Sequence, residues 1–232
     1  MRVREPKAPR IEPEAVVTAA LEILDAEGLH AVTLRQISSK LGVKPPALYW
    51  HFRDKQDIID DMAQRILVQG GLGDIGRPKD PAAWAEWLAE TAHAVRRVMV
   101  SHRDGGRVVA GASFSRAKTL ARLLILTTRV LNDAGFDLVH ASLATATTFD
   151  YVWGYVIEEQ AGAGPETESS APHGHEAAFP FGLDPSDAEL LDAIVTESVN
   201  LTQTERFDWG LRVIVNGLKS ALASAKTMPK GR

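Results

Sequence analysis

The sequence predicts an all-α protein built from two helical domains. Across the 232 residues, apolar side chains recur at spacings of three and four, the period of an amphipathic helix, and no clear alternating run of a half-buried strand is present. A hydrophobic fraction of 45% and a charged fraction of 24% are typical of an ordinary globular protein. Glycine and proline accumulate between residues 70 and 80, which predicts a boundary between an N-terminal domain (1–69) and a larger C-terminal domain (70–232).

The N-terminal domain is predicted to hold four short helices. Pro13 suits the first position of a helix that Gly28 ends, and Thr33 can cap a second helix that stops at Gly42. A third helix restarts at the prolines after Lys44, and a fourth begins at a capping aspartate and ends near residue 69.

The C-terminal domain shows six further helical patterns and one break. The patterns cover residues 81–100, 107–112, 116–134, 138–160, 185–199 and 206–223, whereas residues 161–182 contain several glycines and prolines and are predicted to be a mobile loop. The last helix carries an apolar stripe, which indicates either a dimer interface, the reading we favour, or core within the chain: Phe207, Leu211, Ile214, Leu218 and Leu222.

Composition excludes several classes of site. The absence of cysteine excludes disulfides, thiolate zinc sites, iron–sulfur clusters and a cysteine nucleophile, and it favours a reducing compartment. The N-terminus lacks the apolar core of a secretory signal, and the most apolar stretch, 138–157, is interrupted by polar residues, so we expect a cytoplasmic protein without a membrane span.

Charge is distributed unevenly along the chain. The whole sequence has a net charge of -4, yet residues 33–55 carry five bases and one acid, and residues 1–10 carry four bases and one acid. A basic N-terminal module on an acidic body is expected of a protein that meets phosphate at one end, although an ordinary solvated face has the same appearance.

The basic region has the sequence pattern of a helix-turn-helix. Residues 33–52 read TLRQISSKLGVKPPALYWHF, a short helix, a glycine turn and a second short helix. In such units the second helix enters the major groove of double-stranded DNA, and flanking groups hold backbone phosphates. The generic pattern also occurs in proteins that do not bind DNA.

Specific residues make the chain resemble the TetR family of one-component transcriptional repressors. They are Thr33-Leu-Arg, Leu41-Gly-Val, Ala47-Leu-Tyr-Trp-His-Phe and Asp54-Lys55, followed in the body by a tetracycline-repressor-like pattern in His102-Arg-Asp-Gly-Gly-Arg-Val and Gly154-Tyr-Val-Ile-Glu-Glu-Gln. The resemblance implies a homodimer that binds a palindromic operator and a small-molecule effector. The residues it assigns to DNA are Thr33, Arg35, Lys44, Pro45, Pro46, Ala47, Tyr49, Trp50, His51 and Lys55.

The same resemblance implies an effector pocket in the C-terminal domain. Its positions are Thr91, Val95, Val109, Ala112, Ser113, Thr127, Asp150 and Glu158, with Trp153 as a stacking surface. Val109 stands where tetracycline-binding members have a magnesium-anchoring histidine, and an aliphatic side chain cannot coordinate a cation. We therefore expect no metal and no cofactor, and an effector more apolar than a magnesium chelate.

Two other functions compete with this reading. An enzyme is disfavoured because the glycine-rich Gly71-Leu-Gly-Asp-Ile-Gly follows a helix rather than a strand, and because His173 and His175 are only two histidines in a predicted loop. A ligand-binding module without DNA activity is the stronger alternative, since Pro45 cannot donate a hydrogen bond to a base.

Overall fold

The computed structural model describes residues 11–162 and 184–227, and these residues form nine α-helices and no strand. The all-α prediction is confirmed. The helices are α1 (Pro13–Glu27), α2 (Leu34–Lys40), α3 (Lys55–Gln69), α4 (Trp84–Val100), α5 (Gly105–Ala110), α6 (Lys118–Ala134), α7 (Leu138–Ala161), α8 (Pro185–Val199) and α9 (Gln203–Thr227). The chain divides into two compact units, residues 1–157 and 158–232.

Helix α1 packs against α2 and α3 to form the N-terminal core. The predicted caps are confirmed, because the Thr33 hydroxyl accepts a hydrogen bond from the Gln36 N–H over 3.1 Å and the Asp54 carboxylate accepts one from the Asp57 N–H over 3.0 Å. Each cap satisfies a helix N–H that has no partner within its own helix. The core they frame is apolar and fully buried, including Leu24, Ile37, Leu48, Ile58 and Met62.

The segment between α2 and α3 differs in detail from the predicted helix. Pro45–Trp50 form a 3-10 helix, in which the Ala47 N–H donates to the Lys44 carbonyl over 2.9 Å and the His51 N–H donates to the Leu48 carbonyl over 3.1 Å. Two consecutive prolines remove two backbone donors at the start of this short element, and 3-10 bonding is common in such short pieces. Gly42, in the turn before it, has a φ of 65°, the left-handed conformation that glycine adopts readily.

Helices α4 to α7 build the body of the first unit. Helix α4 contacts α3, α5 and α6, and the ring of Trp84 at its start meets Phe136 edge-on at 5.6 Å between centroids. Gly70, directly after α3, is so close to α4 that an added Cβ would clash with the Val98 side chain. The predicted element at 107–112 is α5, which begins two residues earlier because Asp104 adopts a left-handed φ of 55° and starts the helix there.

Helices α8 and α9 belong to the second unit. Phe207, Leu211 and Leu222 of the predicted α9 stripe are buried within the chain, which favours the intrachain alternative for these positions. Large apolar side chains elsewhere on α8 and α9 are exposed in the single chain: Leu190, Ile194, Trp209 and Val213. Leu201, in the turn between the two helices, is exposed as well.

Several predictions fall outside the described residues. They are the basic segment 1–10, nearly all of the predicted loop 161–182 with His173 and His175, and the last five residues. In the part of the chain that the structure describes, no helix is both long enough and apolar enough to cross a membrane.

Candidate nucleic-acid interface and effector groove

The 3-10 helix presents two aromatic side chains to solvent. Trp50 is 87% exposed and Tyr49 is 57% exposed, whereas their neighbours Leu48 and Phe52 are buried. Leu48 and Phe52 anchor the segment in the core, and Tyr49 and Trp50 lie on its outer side. Packing is therefore the role of Phe52, and the exposure of Trp50 argues against a core role for that residue.

The other residues assigned to DNA surround this aromatic pair along the sequence. Arg35, Lys44, Pro45 and Pro46 are exposed, and Ala47, His51 and Lys55 are half-buried. The Thr33 hydroxyl already accepts the N–H of Gln36, so as a cap it keeps its own proton, which a phosphate can accept, and one further lone pair. Lys40, another basic residue of this region, forms an ion pair within the protein, because its ammonium lies 2.9 Å from a Glu22 carboxylate oxygen.

A charged cluster joins the end of this segment to the loop before α6. The buried Asp57 carboxylate accepts from the Arg53 backbone N–H at 2.9 Å, from Arg53 Nε at 3.0 Å and from Arg53 Nη2 at 2.8 Å. Arg116 Nη1 lies 3.7 Å from Asp57, its Nε donates to Asp61 over 2.9 Å, and its guanidinium lies 5.5 Å from the centroid of the Phe52 ring. These hydrogen bonds, the Arg53 side chain first, hold the pKa of Asp57 well below its usual range.

Helix α3 makes further polar contacts with residues 111–119. The buried Asp60 carboxylate accepts from the Ser113 N–H and from the Gln56 amide, both at 2.8 Å, and the same Gln56 amide donates to the Gly111 carbonyl. Gln64 exchanges two hydrogen bonds with Thr119, at 2.8 and 2.9 Å. Helix α3, which follows the 3-10 helix Pro45–Trp50 (the recognition segment), is thus bonded along its length to the loop before α6 and to the first turn of α6.

An open groove lies between α6 and α7 in the first unit. It has a volume of about 480 Å³. The Thr128 hydroxyl donates to Thr145 Oγ1 over 3.1 Å and crosses between the two helices within its lining. The lining is mainly apolar, with one cation and one anion: Phe114, Leu124, Ile125, Thr128, Arg129, Leu138, Ser142, Thr145, Ala146, Asp150 and Trp153.

Comparison with known proteins decides the family. Residues 16–62 match the family model "Bacterial regulatory proteins, tetR family", and residues 77–222 match "Tetracyclin repressor-like, C-terminal domain". The chain belongs to the TetR family. It is therefore a transcriptional regulator and not an enzyme, with an N-terminal DNA-binding domain and a C-terminal ligand-binding domain.

Individual TetR-family relatives are similar over nearly the full length. The class A tetracycline repressor of transposon 1721 from Escherichia coli is 32% identical over 211 residues, which cover 90% of this chain and 91% of that protein. The structure of a possible TetR family regulator from Streptomyces coelicolor A3(2) is 29% identical, with a TM-score of 0.76 and coverage of 90% and 100%. The structure of BioQ with its natural double-stranded DNA operator is 26% identical, with a TM-score of 0.65 and coverage of 90% and 98%.

The effector positions implied by the TetR resemblance do not all meet in the groove. Asp150 and Trp153 line it. Ala112 and Ser113 lie on the loop before Phe114, and Glu158 is exposed and belongs to the second unit. The remaining four side chains are buried and do not line the groove: Thr91, Val95, Val109 and Thr127.

Most of the TetR groove was missed by sequence reasoning. Leu124, Ile125 and Leu138 read as ordinary apolar positions of two amphipathic helices, and nothing in the period separates a groove wall from core. One signal was available, since Thr128 and Thr145 place hydroxyls on two helices joined by the turn at Gly135. Two hydroxyls that face each other across a helical hairpin indicate a polar contact between its two otherwise apolar helices.

Proposed function

We propose that this TetR-family protein is a cytoplasmic homodimeric repressor that binds a palindromic operator when empty and releases it when a small hydrophobic molecule binds. The observation that carries the proposal is the exposure of Tyr49 and Trp50 on a segment that is anchored in the core on either side of them, by Leu48 and Phe52. Two adjacent exposed aromatic side chains form a contiguous apolar patch, and such patches favour a partner surface. A DNA duplex, with its phosphates and base edges, is the partner expected of a helix-turn-helix.

The DNA contacts divide by chemistry. The Tyr49 hydroxyl and the Lys55 ammonium are suited to phosphate oxygens, which fix position without reading sequence. The Arg35 guanidinium is exposed and can take a guanine edge with two hydrogen bonds. Pro45 and Pro46 offer only apolar surface, so the bases opposite them are selected by shape and by thymine methyl groups.

The homodimer is supported by exposed apolar side chains in the second unit. On α8, Leu190 and Ile194 are 60% and 51% exposed, and their spacing of four puts them on one helix face. On α9, Trp209 and Val213 repeat the same spacing with 65% and 53% exposure. A second copy of the chain covers such faces in a two-fold assembly, and a palindromic operator requires two-fold symmetry.

The effector site is proposed to be the groove between α6 and α7. Its walls favour a largely apolar molecule, and its volume of about 480 Å³ falls within the range of small-molecule sites. Phe114 lines the groove and lies two residues before Arg116, which is bonded to α3. An occupant that displaces Phe114 therefore acts close to the contacts that hold the DNA-binding domain. The roles of Thr91, Val95, Val109, Ala112, Ser113, Thr127 and Glu158 stay predictions.

Complete release from DNA sets a lower limit on the difference in effector-binding free energy between the DNA-competent state and the released state. Moving the DNA-competent population from about 99:1 to 1:99 requires a preference of roughly 5.5 kcal/mol for the released state. A groove that is open in the single chain supplies this only if most of the molecule becomes enclosed, for example under a helix of the second copy.

Selection of random duplex DNA by the purified protein, at two salt concentrations, tests the proposal. Enrichment of a palindrome whose binding falls steeply with salt is expected, with half-sites about one helical turn apart. Binding of apolar ligands without any enriched duplex would reject the operator and support a ligand-binding module, the alternative that the donor-free Pro45 and Pro46 favour.

A further inference from the structure

Among the basic residues of the N-terminal domain from residue 11 onward, Arg53 stands apart in how its side chain is held. Three of its donors, the backbone N–H, Nε and Nη2, bond to the two carboxylate oxygens of Asp57 at 2.8 to 3.0 Å. The carboxylate is buried, with 3% of its side chain exposed, whereas the Arg53 side chain is 82% exposed. A guanidinium bonded on one edge and exposed on the other is fixed in direction without being covered.

Its position in the chain puts it at the edge of the recognition segment. Arg53 follows Trp50 by three residues and precedes Lys55, the first residue of α3, by two. The adjacent acid in the sequence, Asp54, uses a carboxylate oxygen to cap the N–H of Asp57. Arg53 Nη1 and the second N–H of Nη2 take no part in the bonds to Asp57.

We propose that Arg53 is a further operator-binding residue, which donates to a backbone phosphate while the buried Asp57 carboxylate holds its guanidinium in place. Phosphate accepts two parallel N–H bonds from a guanidinium, and the exposed edge of Arg53 is available for that geometry. Fixing the side chain in advance reduces the rotamer entropy lost on binding. The inference rests on the proposed operator binding, which supplies the DNA.

Arg116 lies near the same carboxylate. Its Nη1 lies 3.7 Å from Asp57, and its Nε and Nη2 bond to Asp61. Arg116 belongs to the loop before α6 and contacts the same carboxylate as Arg53. It is therefore the matched structural control. Replacing it disturbs the same carboxylate without removing the proposed phosphate donor.

The test is the salt dependence of operator affinity, measured by fluorescence anisotropy on the enriched duplex for the wild type, Arg53→Gln, Arg53→Lys, Arg116→Gln and Arg97→Gln. The slope of log K against log salt is negative, and loss of one phosphate contact per half-site reduces its magnitude by about 2 for a two-fold operator. Over about 50 to 200 mM salt this makes the Arg53→Gln affinity roughly tenfold less salt-sensitive than that of the wild type. Arg53→Lys keeps a cation, so its slope is expected to stay near the wild-type value while its affinity falls because the paired donors are lost.

The controls separate a phosphate contact from a structural effect. Arg116→Gln is expected to lower the melting temperature and leave the slope unchanged, and Arg97→Gln, which removes an exposed arginine of α4, is expected to change neither. A wild-type slope in Arg53→Gln, or an equal loss of slope in Arg116→Gln, overturns the proposal. A wild type that binds no duplex even at low salt overturns the operator function as well, whereas an unchanged slope in Arg53→Gln on a bound operator overturns only the role of Arg53.

Discussion

The Asp104 carboxylate accepts a hydrogen bond from the backbone N–H of Leu29 over 2.8 Å and so ties the turn before α5 to the end of α1. The residues before Asp104 strengthen this junction. His102 Nδ1 lies 3.0 Å from both Asp25 carboxylate oxygens, and Arg103 Nη1 donates to the Ala26 carbonyl over 3.2 Å. Helix α5 is therefore bonded to the N-terminal helices before its first residue, while the loop after it is bonded to α3.

Replacing Asp104 with alanine is expected to destabilise the fold by about 2 kcal/mol. The change removes a hydrogen bond to a charged acceptor. It also leaves an alanine at a φ of 55°, a strained conformation that aspartate tolerates better because its side chain can form local hydrogen bonds. Asp104→Asn keeps an acceptor and tolerates this backbone conformation, so it is expected to lose less. Urea unfolding of both variants, with hydrogen exchange at the Leu29 amide, checks the result; equal stability of the wild type and Asp104→Ala would contradict it.

Asp57 is expected to make stability depend on pH in the acid range. Because its pKa is lowered in the folded protein, its contribution is fully present above its unfolded value of about 3.9 and is lost as the pH falls toward the folded value. Asp57→Asn should cost roughly 2 kcal/mol at pH 7, below the range for a fully buried pair because Arg53 is largely exposed. Urea unfolding at pH 7, 5 and 3 should show the two proteins converging in stability as the pH falls; a constant difference would exclude this role of Asp57.

Tyr49→Phe and Lys55→Ala are expected to weaken operator binding without changing which sequence is preferred. Each removes a donor suited to backbone phosphate, and phosphate contacts carry no base information. Affinity for the selected operator and for scrambled duplexes should fall by a similar factor. Thermal unfolding serves as the control, because Tyr49 is mainly exposed and its loss of a hydroxyl is expected to leave the stability of the fold unchanged.

Arg35→Ala is expected to alter the preferred sequence as well as the affinity. An exposed guanidinium that reads a guanine edge contributes about 1 to 3 kcal/mol of discrimination at that base pair. Repeating the duplex selection with this variant should show one position of each half-site losing its preference. An identical enriched palindrome would assign Arg35 to phosphate or to solvent.

Ile194→Glu and Val213→Glu are expected to shift the protein from dimer to monomer. Both residues are about half exposed in the single chain, so a carboxylate there is tolerated by the monomer and is costly only inside an interface. Light scattering of the variants at equal concentration measures the change. Lys219→Glu, on an exposed position of α9, is the control for charge alone.

The sequence was sufficient for the elements whose signals are local. Thr33 and Asp54 are strong capping residues, and Gly28 and Gly42 stand where left-handed backbone is needed, so the N-terminal helices were predicted within a few residues. The separation between Trp50 and Phe52 followed from the family resemblance, which assigned Trp50 and not Phe52 to DNA; the residues alone do not give it, because neighbouring aromatics in a short segment do not reveal which one faces the core. The groove and the Arg53–Asp57–Arg116 cluster join residues more than fifty positions apart, or residues of two helices, and only folding brings such groups together.

The prolines at the head of the recognition segment also affect the thermodynamics of binding. Pro45 and Pro46 each have one backbone angle fixed by their rings, and Leu48 is held in the core, so the segment has little freedom left to lose when it meets the duplex. A flexible segment would lose about 1 to 2 kcal/mol of backbone entropy for each residue that becomes ordered. We expect operator binding to show a small ordering entropy at these positions, with specificity that comes from the fit of a rigid apolar edge rather than from donors that adjust to the bases.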